Sequence, residues 1–232
     1  MKPVTPLVLL AVLMAAWPAR ATCPEQRVAV QVVTQTGPTC LVAAALSAMS
    51  AHGAPEVTVK SLARLLPVYP DGIDWYDLAV QLERQGWEVR LFTGPPEAAA
   101  RLVDAGFPVV ALTIAGGKTH AVTLHGVQRS KTAKGCGRGL ERVLVMDPRT
   151  GQSTWMSGAA LAKVQAEQRM LVVYRPKDRA RLASRDFPLE LASRVDRRLR
   201  AQALVRRAEK HPHETMQQLH ILREAVGIDP CW

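Results

Sequence analysis

The chain has no Cys-x-x-Cys pair and no matched pair of histidines in its 232 residues. The spacing that zinc sites use is therefore missing, and neither a metal nor a cofactor is expected. Acidic residues are in the minority, 20 Asp+Glu against 30 Lys+Arg, which leaves a formal net charge of +10. Past the N-terminus no apolar run approaches membrane-spanning length. There is no low-complexity segment, and a single helix pair near the C-terminus is too little for a repeat array. With 48% hydrophobic residues the chain is globular rather than disordered. Its length suits one core plus an appendage.

The N-terminus bears on the charge. Lys2 precedes an apolar run from Leu7 to Trp17, and Ala19-Arg20-Ala21 puts small residues where a signal peptidase reads. Residues 1–21 are read as a signal peptide cleaved before Thr22, the run being short for a membrane span. An uncleaved anchor is the alternative; a lipoprotein signal fits less well, because Arg20 and Thr22 suit that processing poorly. Export to a periplasm or to the exterior argues against nucleic acid as partner. The basic charge then points to anionic surfaces or acidic protein.

An oxidising compartment permits disulfides. Cys23 lies near the mature N-terminus and Cys231 is penultimate. Chain ends often meet in compact domains, so a Cys23–Cys231 bridge is expected. Cys136, in the Gly-rich basic stretch Lys134 to Gly139, is then the odd thiol, read as part of a flexible loop. Three complete pairings of four cysteines exist, and the sequence does not select among them.

Hydrophobic periodicity orders the rest. Arg27 to Val33 alternates like a strand. Leu41 to His52 is a helix apolar on nearly all faces, hence buried. Thr58 caps a second helix ending before Pro67, and a third spans about Asp74 to Gln85. Strands follow at 87–92, 108–114, 120–127 and 142–146, with a short helix at 96–105 between the first two. Ser153 to Met156 pairs back, a helix covers 159–168, and a last strand covers 170–174. Helices first and an antiparallel sheet after make an α+β domain over residues 22–177. Residues 178–232 are basic and helical, with helices near 189–210 and 214–226 forming a hairpin. That hairpin is read as a solvated face, open to an anionic surface or a protein partner.

One constellation carries chemistry. Gln35-Thr36-Gly37-Pro38-Thr39-Cys40 delivers a cysteine to the start of the buried helix. Partial positive charge at a helix N-terminus favours the thiolate, so Cys40 is the candidate nucleophile rather than a structural core cysteine. His120, at the mouth of a strand after Gly116-Gly117-Lys118-Thr119, is the candidate general base and acid. Its rival, His125, is five residues on and faces the other side of a regular strand. Asp147, closing the strand Val143 to Met146, is the candidate acid that orients the imidazole, although Asp-Pro is also common turn chemistry. Gln35, together with the Cys40 N–H, is the candidate oxyanion donor.

Gln35 with Cys40 heading a small-residue helix, then His120-Ala121-Val122, then Asp147-Pro148, resembles papain-like cysteine peptidases. The nearest type is the double-glycine leader peptidase that matures bacteriocins, over roughly Val28 to Pro176. The resemblance implies a papain-like fold, a Cys–His–Asp triad, a glutamine in the oxyanion hole and a peptide or protein substrate. Many members follow the cysteine with glycine where this chain has Leu41, and the membrane and ATPase regions of the exporters have no counterpart here. The expectation is an exported, stand-alone cysteine peptidase. A non-catalytic binding module on the same fold and a cell-wall amidase are the alternatives.

Overall fold

The computed structural model describes residues 23–53, 56–69, 72–133 and 135–183. The expected signal peptide (1–21), Cys231 and the expected C-terminal hairpin from residue 184 onward lie outside the described residues. In chain order the elements are β1 (Glu25–Arg27), α1 (Cys40–Ser50), α2 (Val59–Ala63), β2 (Val68–Tyr69), β3 (Gly72–Ile73), α3 (Trp75–Arg84) and β4 (Glu88–Thr93). There follow α4 (Pro96–Asp104), β5 (Val109–Ala115), β6 (Lys118–Thr132), β7 (Gly135–Asp147), β8 (Gln152–Ser157), α5 (Gly158–Val164), β9 (Gln165–Tyr174) and α6 (Arg179–Ala183). A 3-10 turn at Pro176–Asp178 precedes α6.

Every strand pair is antiparallel. The main sheet runs β4-β9-β5-β6-β7-β8, with β1 added to β6, while β2 and β3 form a separate two-stranded ladder. Alternation along the central strands sends side chains into two cores. On one face Val89, Leu91, Val110, Ala121, Leu171 and Val173 pack with α1, α2 and α3. On the other, Val109, Ala111, Val122, Leu124, Met170 and Val172 pack with α4, α5 and Leu182 of α6. The apolar run of α1 is buried without a break from Leu41 to Met49. At about 1.5–3 kcal/mol for each large apolar side chain removed from water, the buried Leu46 and Met49 contribute strongly to holding that helix against the sheet. Polar side chains add register: the Thr123 hydroxyl donates to Ala44 O at 2.9 Å, and Ser47 donates to Gln31 O at 2.6 Å.

Local chemistry explains the element ends. Asp74 caps α3 by accepting from Tyr76 N, Thr58 and Ser61 form a reciprocal cap on α2, and Ser157 caps α5. Gly116 and Gly117, with φ of 61° and 75°, supply the positive φ that a type I′ hairpin turn between β5 and β6 requires.

The structure departs from the sequence expectations in four places. The strand expected at 27–33 is reduced to Glu25–Arg27. The β6 edge facing it is already occupied by β5 along residues 118–124, so only 126–128 remain for pairing. Beyond that, the chain is held along α1 by Gln31 N donating to Ser50 Oγ and by the Ser47 bond. Secondly, the Gly-rich stretch around Cys136 is strand rather than flexible loop. A Cβ on Gly137 would lie 2.5 Å from Thr132 Cγ2, and one on Gly139 would lie 2.6 Å from Ser130 Oγ. These glycines permit close approach within a two-stranded ribbon. Thirdly, α5 stops at Val164 and β9 starts at Gln165, because Gln165 pairs with Thr113 of β5. Finally, Cys23 is bonded to Cys136, with Cα atoms 5.6 Å apart, not to Cys231. Pairing of β1 with β6 carries Cys23 to the β6–β7 ribbon, where Cys136 sits opposite Lys131, and Gln128 Nε2 donates to Cys23 O at 2.9 Å.

Candidate active site

Cys40 is the first residue of α1 and the free cysteine of the described residues. Thr39 stands at the N-cap but its side chain does not cap the helix. Its hydroxyl turns back instead, donating to Thr36 O at 2.9 Å and accepting from Thr36 N at 3.1 Å. The turn that presents Cys40 is thereby closed on itself. The first helical bond is Ala43 N to Thr39 O at 3.0 Å, so the N–H groups of residues 40–42 precede the helical ladder.

His120 is buried near the start of β6 and hydrogen-bonded to Cys40. Its Nε2 lies 2.7 Å from Asp147 Oδ1, which leaves Nδ1 as the ring nitrogen for the sulphur. The backbone of His120 is held from β5, where Thr113 Oγ1 donates to His120 O at 2.9 Å. Burial pushes the Cys40 thiol up. Hydrogen bonds from His120 and the Ala121 backbone, the imidazolium charge and the Leu41 backbone together outweigh it, and the thiol titrates below its ordinary value. His120 moves the opposite way. Its bond to Cys40 raises it most, burial opposes, and the bond to and charge of Asp147 add to the rise. Falling thiol and rising imidazole favour a thiolate–imidazolium pair, and the two titrate as a coupled unit.

Asp147 ends β7, with its side chain 34% exposed. The same Oδ1 that meets His120 accepts the Arg149 N–H at 2.8 Å, an Asx turn, while Gly151 N closes the loop on Asp147 O. Turn chemistry and contact with the imidazole, alternatives in the sequence, are here one arrangement: the turn pins the oxygen that faces the ring.

Gln35 reaches the same region by its backbone. Its N–H donates to Pro148 O at 2.8 Å, tying the loop before Cys40 to the Asp147 turn. Its Nε2 donates to Gly37 O at 3.0 Å, and its Oε1 is buried without a hydrogen-bond partner. An amide nitrogen carries two donors, so one remains beyond the Gly37 bond. His125 lies apart from this group. It is the extra residue of a β-bulge, between the Leu124–Val145 and Gly126–Leu144 pairs. Its ring meets Val28 O at 3.1 Å and Ser153 Oγ at 2.9 Å, and burial lowers its pKa.

The structure thus gathers Cys40, His120 and Asp147 and sets His125 aside. Sequence reading missed Thr39, Thr113, Pro148 and the Leu41 and Ala121 N–H groups. These act through backbone or through short hydroxyl bonds and leave no motif. Among the described residues no three His, Cys, Asp or Glu side chains cluster to hold a metal ion.

No protein-family model matches the chain, and no curated protein is similar enough to match it. Solved structures do match. The peptidase domain of Streptococcus ComA, a bi-functional ABC transporter involved in a quorum-sensing pathway, superposes with TM-score 0.52 at 16% identity. The match covers 63% of this chain and 99% of that one. A double-glycine-motif protease from an AMS/PCAT transporter, solved with its leader peptide, gives TM-score 0.49 at 17% identity, over 63% of this chain and 92% of that one. The antiparallel sheet with helices on both faces is the α+β fold of the ComA peptidase domain, the papain-like fold that the motif order had implied.

Proposed function

We propose that this chain is an exported cysteine peptidase. The observation that carries the reading is the Cys40–His120–Asp147 arrangement at an uncapped helix N-terminus, with His120 Nε2 2.7 Å from Asp147 and bonded to Cys40. In the proposed mechanism the Cys40 thiolate attacks the carbonyl carbon of a peptide bond. The carbonyl π bond breaks and the oxygen becomes an oxyanion. The free amide hydrogen of Gln35 and the Cys40 N–H stabilise that charge. The tetrahedral intermediate collapses, the C–N bond breaks, and imidazolium His120 gives its proton to the leaving amine. Neutral His120 then takes a proton from water as hydroxide attacks the thioester; the C–S bond breaks, which restores the Cys40 thiolate beside the imidazolium, and the carboxylic acid product leaves and gives its proton to solvent. Asp147 holds the imidazole in one tautomer throughout. Export rests on the character of residues 1–21 and is supported by the Cys23–Cys136 bridge, which belongs to an oxidising compartment.

The test is alkylation of Cys40 by iodoacetamide across pH, in the chain and in His120→Ala, alongside digestion of a proteome-derived peptide library. Labelling that persists well below the ordinary thiol range, moves to higher pH in His120→Ala, and accompanies cleavage abolished by Cys40→Ala is the expected result. An ordinary thiol profile unchanged by His120→Ala, with no peptide cleaved, overturns the reading.

A further inference from the structure

Three large hydrophobic side chains stand exposed among the described residues: Val32, Leu65 and Ile114. Ile114 is the one in line with the candidate nucleophile. On β6 the Thr123 hydroxyl bonds to Ala44 O of α1, and two residues earlier the Ala121 backbone bonds to the Cys40 sulphur. Four helix residues rise about 6 Å, and two strand residues advance about 6.6 Å. Helix and strand therefore keep step in the same chain direction. Two residues further toward the start of β6 on that face is Thr119, about 6.6 Å beyond Cys40 and past the N-terminal end of α1.

Thr119 is paired with Ile114 across the β5–β6 hairpin, as Ala121 is with Leu112. Val110 lies in the core beneath α1 and Leu112 packs against it. Ile114 continues that row past the end of the helix and is 50% exposed. The neighbouring cross-strand pair is Thr113 with His120 itself. The row of apolar side chains that carries the helix thus emerges next to the site as one uncovered isoleucine, on a hairpin whose Gly116-Gly117 turn presents no side chain of its own.

We propose that Ile114 is a specificity-determining residue, forming with Thr119 an apolar rim that receives an aliphatic side chain of the substrate about two residues from the scissile bond. The spacing follows from the strand geometry, since an extended peptide covers the distance from the Cys40 sulphur to the rim in about two residues. This inference rests on the peptidase reading above and adds a substrate class to it: extended peptides with an aliphatic residue beside the cleavage point.

The experiment compares the disulfide-intact chain with Ile114→Ser and Ile114→Glu on one peptide library, with Leu65→Ser as a control for loss of exposed apolar surface elsewhere. The cleavage windows of the parent chain are expected to be enriched in aliphatic residues within two or three positions of the scissile bond. Ile114→Ser loses that enrichment and about tenfold in kcat/KM on the best peptide, and Ile114→Glu loses more. Iodoacetamide labelling of Cys40 stays the same in both, because that small probe does not reach the rim. Leu65→Ser leaves both readouts unchanged. Cleavage by Ile114→Ser with the parental preference and kcat/KM overturns this inference and leaves the peptidase reading standing. Absence of cleavage by the parent chain overturns both.

Discussion

Asp147→Asn separates the charge of the orienting residue from its geometry. In the parent chain Oδ1 accepts both His120 Nε2–H at 2.7 Å and Arg149 N–H at 2.8 Å. The Arg149 donor selects an oxygen, not an amide nitrogen, at that position. Asparagine therefore keeps its carbonyl toward the imidazole and preserves the tautomer with Nδ1 toward the sulphur. What it loses is the charge. A charge-assisted bond is roughly twice as strong as a neutral one, a difference of about 1–1.5 kcal/mol. With the carboxylate 34% exposed, solvent screening sets the effect at the lower end. About 1.4 kcal/mol is tenfold in rate, so kcat/KM falls about tenfold or somewhat less. Asp147→Ala removes the Asx turn and the acceptor together, and falls further, by about a hundredfold. The pH profile carries the sign. The Asp147 bond and charge raise His120, so the alkaline limb of kcat/KM, where imidazolium is lost, moves to lower pH in Asp147→Asn. Peptide hydrolysis followed by mass spectrometry across pH measures both. Equal losses in the two variants, or an alkaline limb that does not move, would refute the reasoning that Asp147 acts through the ring by charge and geometry in these proportions.

Three further outcomes follow from the fold. The Cys23–Cys136 bridge spans a sequence separation of 113 residues, and Cys136→Ser is expected to lower stability by about 2–4 kcal/mol, read as a drop in the urea midpoint; an unchanged midpoint would show that β1 holds without it. His52 is buried against Phe107, with Nδ1 3.2 Å from Asp178. Burial lowers its pKa, with Arg181 and Arg175 adding to the fall and Asp178 opposing it. A histidine depressed in the folded state favours folding above its ordinary pKa, and that contribution is lost as pH falls through the ordinary value toward the depressed one. Urea unfolding of the chain should weaken over that range, and His52→Gln should flatten the dependence; parallel curves would count against it. Asp77 is pushed up to about 7 by burial and by the nearby Asp74. A carboxyl raised in the folded state favours folding below its ordinary pKa of about 3.9 and loses that as pH rises through 7. Asp77→Asn is expected to be more stable than the parent at pH 8, by about 1–3 kcal/mol, with the gap closing toward pH 4. A gap of the same size at both pH values would show that the charge is not the cause.

Much of the architecture was legible because local rules and periodicity agreed. The all-round apolar run of α1, the caps at Thr58 and Asp74, Pro96 at the start of α4 and the Gly116-Gly117 turn each follow from chemistry within a few residues. Three of the candidate residues were legible for a related reason: Cys40, His120 and Asp147 each sit at or near the beginning or end of an element, and with Gln35 in the loop before α1 their order along the chain follows a recognisable pattern. Where reading failed, partners far apart in sequence decided. Arg27 to Val33 alternates like a strand, yet β5 had taken the edge it needed. Gly135 to Gly139 has the composition of a loop, yet its glycines serve a close ribbon.

The sequence by itself determined the kinds of element, the faces they bury and which side chains could do acid–base or nucleophilic chemistry. These depend on spacing and on the properties of single residues. Tertiary structure alone decided that Cys23 meets Cys136, that His125 sits in a bulge with its ring on Val28 and Ser153, and that the Asp147 turn is tied to Gln35 through Pro148. The reason is physical. Strand pairing and helix docking are set by burying two whole faces of one sheet at once. A bulge at His125, a filled edge on β6 or a turn folded over a distant loop is fixed by that global packing, and no residue records it locally.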